Sequence, residues 1–123
     1  MKVWQFIETF DRQLENEIPE EDKVRWLFQL DESFQKELID THEGAEKAEK
    51  SDWSDAEREL LVPSPYTDIY LYWLRCKTFL SRGEIELYNN YLSIFTAVKE
   101  DFEREYHRTH MPKGTSIKNY TGW

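Results

Sequence analysis

Asp68-Ile69-Tyr70-Leu71-Tyr72-Trp73-Leu74, continued by Cys76, Phe79 and Leu80, places apolar side chains almost all the way round one helix. A helix of that kind needs neighbours on every side, so it predicts the centre of a helical domain. Just before it, Ser64 has the chemistry of a helix cap and Pro65 that of a first helical residue, which predicts a helix from there to about Ser81. Arg82-Gly83 supplies the stop, because glycine takes a positive φ without a steric penalty. A second stripe then begins almost at once: Ile85, Tyr88, Tyr91, Leu92, Phe95, Val98, Phe102 and Tyr106. So short a connection predicts an antiparallel hairpin of the third and fourth helices, with Leu74 and Phe95 in its core.

Two more helices are expected on the N-terminal side. Trp4, Ile7, Phe10 and Leu14 recur at steps of three and four, predicting a helix from about Val3 to Glu15 with Asn16 as a left-handed cap. Pro19 followed by Glu20, Glu21 and Asp22 marks the next start, since acids suit the positive end of the helix dipole. Val24, Leu27, Leu30, Phe34 and Leu38 form its stripe, widened by Trp26 and Phe28, and Gly44 falls just past its end. From Glu43 to Glu59, seven acids and three bases surround few apolar residues, the pattern of a solvated connection. Within it Ser54 and Glu57 have capping-box spacing and are expected to start a short turn of helix before Leu60. The result is an all-α, four-helix domain over residues 1–110, with a flexible C-terminal tail over 111–123.

Composition agrees with that class. The chain has 123 residues, the size of one domain, and 39% hydrophobic and 15% aromatic content is too rich for a disordered chain. Four glycines and four prolines leave little turn chemistry for a many-stranded sheet. A single cysteine, Cys76, excludes an internal disulfide. Gln5, Glu8 and Asp11 interrupt any leader-like apolar run near Met1, and Ile69 to Leu74 is too short to cross a bilayer, so a cytoplasmic origin without membrane attachment is expected.

The net charge of −9 is unevenly placed. From His107 to Trp123 the chain has Arg108, Lys113 and Lys118 and no acid, a charge of +3, so residues 1–106 carry −12, the difference of the two. Such a body disfavours duplex DNA and anionic membranes, both of which require lysine and arginine.

Few side chains have the spacing of chemistry. His107 and His110 share a helix face, but zinc requires four ligands and no neighbouring group completes the set. Cys76 lies in the most apolar helix, where a thiol is inert packing. Phosphate loops, dinucleotide fingerprints and nucleophile elbows are missing from the sequence. No enzyme activity and no cofactor are expected. Asn89 and Asn90 sit inside a strong helical stripe, where asparagine is a poor helix former. Either one of them bonds across to a neighbouring element, or both face solvent.

Several ordered segments resemble a known family. Asp40-Thr41-His42-Glu43-Gly44 and Glu59-Leu60-Leu61-Val62-Pro63-Ser64-Pro65-Tyr66, followed by Tyr70 and Tyr72, are similar to segments of the small head–tail connector (adaptor) proteins of tailed phages and prophages of Gram-positive bacteria. Gly83-Glu84, Tyr88-Asn89-Asn90, Phe95, Tyr106, Arg108-Thr109-His110-Met111-Pro112 and Lys113 continue the match. It covers about half of the chain, mostly residues 59–114, while the first helix matches only in pattern and Ala45 to Asp55 not at all. The resemblance implies a four-helix subunit of a homo-oligomeric ring in the virion neck, assembled in the bacterial cytoplasm. Such a ring lies beneath the portal protein and passes the channel on to the tail-completion protein. Genome DNA would slide through without specific binding, past a wall whose acids repel phosphate.

The tail is the expected partner-binding segment, through Arg108, His110, Lys113, Lys118, Tyr120 and Trp123. Large aromatics on a basic segment without a core of its own are suited to ordering on a partner. Two rival readings remain on sequence grounds. One is an acidic mimic of DNA that inhibits a host nucleic-acid-binding protein, which should concentrate its acids on one face. The other is a small hydrolase using acids or His107 and His110.

Overall fold

A computed structural model describes residues 2–37 and 57–109. It is all-α, with four helices in the order α1 (Val3–Gln13), α2 (Glu20–Glu37), α3 (Asp68–Ser81) and α4 (Ile85–Thr109). The centre is α3, which packs against each of the other three helices, and α4 runs along α3. Ile69, Tyr70, Leu74 and Cys76 of α3 are almost wholly buried. Rings join the hairpin along its length: Phe79 and Tyr72 meet Tyr91, and Trp73 meets Phe95 at 5.1 Å between centroids. Farther along α4, Phe102 sets its edge against Phe34 of α2.

Gly83 turns the hairpin with φ +74. Its N–H donates to the Leu80 carbonyl and the Glu84 N–H to the Phe79 carbonyl, the paired bonds of a Schellman stop. Leu80 and Ile85, on either side of this turn, are about half exposed, so the two stripes do not extend to the hairpin's tip as expected.

The first helix buries Ile7 and Phe10 as expected, but its inward face is rotated toward Val3 and Phe6. Val3, Phe6, Ile7 and Phe10 point inward, while Trp4 is 38% exposed and Leu14 lies beyond the helix. Phe6 decides the rotation, its ring lying tilted against that of Tyr70 with 5.0 Å between centroids. Asn16 is not left-handed, for among the described residues only Gly83 has a positive φ. Leu14 instead ends α1 in an extended conformation, and the Asn16 amide ties the connection together. Its Nδ2 donates to Asp11 Oδ1 and the Leu14 carbonyl, and its Oδ1 accepts from the Ile18 N–H. A side chain able to make all three bonds satisfies the turn without the αL backbone.

The expected start of α3 is corrected as well. Pro63 to Tyr66 form a turn with a cis Ser64–Pro65 peptide, closed by the Tyr66 N–H on the Pro63 carbonyl. The helix proper begins at Asp68, so Ser64 is no cap and Pro65 no first helical residue. Pro19 likewise stands just before α2, its carbonyl accepting from the Asp22 and Lys23 N–H groups. Glu57 to Val62 are not helical. They form an extended strap, and Leu38, Gly44 and Ser54 lie outside the described residues.

Candidate interaction surface and the strap behind it

The strap crosses the bundle and is held at three levels. At its start, the Val3 N–H donates to the Arg58 carbonyl, Lys2 pairs with Glu59 as an isolated antiparallel bridge, and Lys2 Nζ meets Glu57 at 3.1 Å. Leu60 and Val62 then insert into the core. Between them the Leu61 N–H donates to Asp31 Oδ2 at 3.0 Å, and the Val62 N–H donates to the Tyr70 hydroxyl at 2.8 Å. Tyr70 in turn donates to Asp31 Oδ1. Burial drives the Asp31 carboxyl up to about 6, against the opposing pull of the Tyr70 and Leu61 hydrogen bonds and the Arg58 charge. Tyr70 is pushed well above its ordinary value by burial and by the adjacent Asp31.

Beyond the strap, the turn at Pro63–Tyr66 faces the last two turns of α4 and leaves a groove of about 370 Å³. Leu61, Pro63, Pro65 and Tyr66 line one side, and Phe102 and Tyr106 the other. The Tyr66 and Phe102 rings stand 5.8 Å apart, and Tyr106 continues the row at 6.1 Å from Phe102. Glu105 and Thr109 complete the rim.

Of the expected partner-binding residues, Arg108 is exposed on the last turn of α4. It holds both oxygens of Glu105, with Nη2 at 2.6 Å and Nε at 3.1 Å. His110, Lys113, Lys118, Tyr120 and Trp123 lie outside the described residues. His107 is exposed. Among the described residues no group of three or more histidine, cysteine, aspartate or glutamate side chains is placed to hold a metal. The Cys76 thiol is buried and pushed up to about 11 by desolvation. Asn89 and Asn90 both lie on the exposed face of α4, the solvent-facing alternative of the two. No described helix is long and apolar enough to cross a membrane.

The acids are not spread evenly. Glu8, Asp11, Glu15, Glu17, Glu20 and Glu21 are all exposed around the corner between α1 and α2. Arg12 pairs with Glu8 and the buried Lys23 with Asp11, at 2.6 Å. On the opposite helix, Leu87 and Ile94 lie seven residues apart on one flank of α4 and are each 41% exposed.

No family model matches the chain, and no curated protein or solved structure matches it.

Sequence reasoning missed the Asp31–Tyr70 pair and, apart from it, the buried Lys23. A signal was present for two of them. Lys23 and Asp31 fall in step with Leu27, Leu30 and Phe34 on the apolar stripe of α2. A charged residue in phase with a buried stripe marks a position that needs an internal partner.

Proposed function

We propose that the chain is a structural, non-enzymatic subunit of a phage head–tail connector ring that joins the portal to the tail-completion proteins. The observation that carries this reading is where the resembling residues sit. Leu61-Val62-Pro63, Tyr66 and Tyr70 belong to the strap, the turn and the buried tyrosine that holds the strap, Tyr72 and Phe95 join α3 to α4, and Tyr106 ends the aromatic row on α4. The resembling residues are therefore those on which the shape of the subunit depends, as expected where shape is what the protein contributes. Exposed Leu87 and Ile94 supply apolar area of the kind that contacts between subunits cover. The acidic body suits a wall that duplex DNA slides past. Removing the gene from its prophage should leave filled heads and free tails unjoined in electron micrographs. Joined, infectious particles in its absence would overturn the reading.

One observation favours a second reading, the DNA mimic: the exposed acids gathered at the α1–α2 corner. That reading gives no role to the basic, aromatic segment after Thr109. Competition of the purified protein with DNA for a basic host factor would support it.

A further inference from the structure

The groove between the Pro63–Tyr66 turn and the end of α4 opens where the chain leaves the helix, because Thr109, the last residue of α4, is part of its rim. Its sides are apolar and rigid. Prolines 63 and 65 carry no N–H to satisfy, and the Tyr66, Phe102 and Tyr106 rings brace one another. A cavity of about 370 Å³ is near the lower limit for a binding pocket, enough for large side chains of a peptide. Fourteen residues follow Thr109 in the sequence, and they carry Met111, Pro112, Ile117, Tyr120 and Trp123, with Lys113 and Lys118 and no acid. Fully extended, such a segment spans at most about 50 Å, enough to pass from one subunit to the next.

The segment after Thr109 is acid-free and basic, so it is drawn to acidic bodies, and when it lies on a neighbouring copy it offsets part of the repulsion between two subunits at −9. We propose that residues 111–123 of one copy occupy this groove on a neighbouring copy, with Tyr120 and Trp123 as the aromatic anchors. The proposal rests on the ring reading and supplies the contact that joins its subunits.

The test uses the full chain with a photo-reactive phenylalanine analogue in place of Tyr120. Nitrogen-15-labelled and unlabelled copies are mixed, irradiated, digested and mapped by mass spectrometry. The expected products join position 120 of one label to residues 61–66 or 102–109 of the other. Ser64 is exposed, so Ser64→Lys should leave the circular dichroism unchanged. Its like charge and bulk should nevertheless lower the inter-copy yield about ten-fold, the loss of roughly 1.4 kcal/mol of contact. Cross-links confined within one chain, mapped elsewhere, absent, or unaffected by Ser64→Lys would overturn the proposal. Because the isolated protein is used, a failure here is separate from a failure of the gene-removal experiment.

Discussion

Tyr70 of α3 and Asp31 of α2 meet in the core, the phenol donating to Oδ1 at 2.5 Å with both side chains fully buried. The arrangement closes completely. Three donors, the Leu61 N–H, the Val62 N–H and the Tyr70 O–H, face three acceptors, Oδ2, the tyrosine oxygen and Oδ1. Two helices and the strap are thereby fixed to one carboxylate. Removing either partner leaves buried groups without a bond, which costs more than the bond itself contributes.

Tyr70→Phe should therefore destabilise the protein by about 1–3 kcal/mol, because the Val62 N–H loses its acceptor and Asp31 loses a donor. Urea melts with an unchanged slope would measure it. A variant as stable as the parent would show that the network contributes nothing.

The same pair gives a pH dependence. The folded-state carboxyl of Asp31 is raised from 3.8 to about 6, so between these values the folded protein binds a proton that the unfolded chain does not. This group's contribution to stability is smallest above about 6 and grows as the pH falls through 6 towards 4. Linkage gives about 2 kcal/mol gained between roughly pH 7 and 4.5 from this residue alone. Asp31→Asn should remove that increment, and the difference between the two stability–pH profiles isolates it from the other acids.

Leu74 and Phe95 hold the hairpin, Leu74 at 0% and Phe95 at 6% exposure. Each truncation to alanine should cost on the order of 2–5 kcal/mol, from lost burial and the cavity left behind. Denaturant melts of Leu74→Ala and Phe95→Ala that both match the parent would contradict the packing described.

With −12 on residues 1–106, the protein should show no useful affinity for duplex DNA. Fluorescence anisotropy at about 150 mM salt is the measurement, and micromolar binding of the kind typical of non-specific binders would refute both this and the repelling channel wall.

Deletion of residues 112–123 should leave the helical circular dichroism and the melting temperature nearly unchanged, as expected of a segment that is ordered by a partner rather than by its own subunit. The truncated subunit should fail to enter heads. A melting temperature several degrees lower, or normal assembly, would contradict the docking role of that segment.

The α3–α4 hairpin was legible because two long apolar stripes flank a glycine at a turn that needs a positive φ. Its N-terminal boundary was not, because Ser64-Pro65 has the chemistry of a helix start and of a turn alike, and the closing Pro63–Tyr66 bond decides between them. The face of α1 turned on a contact with Tyr70, which the spacing of Trp4, Ile7 and Phe10 does not encode. Asp31 was hidden among 25 acids, since a buried carboxylate and a solvated one are the same letter. Between Ser54 and Leu60 the capping-box spacing predicts a turn of helix, but Glu57 to Val62 are extended, with Leu60 and Val62 buried in the core.

The strap also sets the order of events on the ribosome. Lys2 and Glu57 lie 55 positions apart, and the carboxylate on α2 needs Tyr70 from α3. When α1 and α2 leave the exit tunnel, Phe6, Ile7 and Phe10 have no lid, and nothing local can supply one. The nascent chain therefore cannot close this core until α3 has followed them out, and α4, which covers the other side of α3, completes it last. A message cut short before α3 would yield a sticky polypeptide for chaperones and proteases rather than a smaller working subunit.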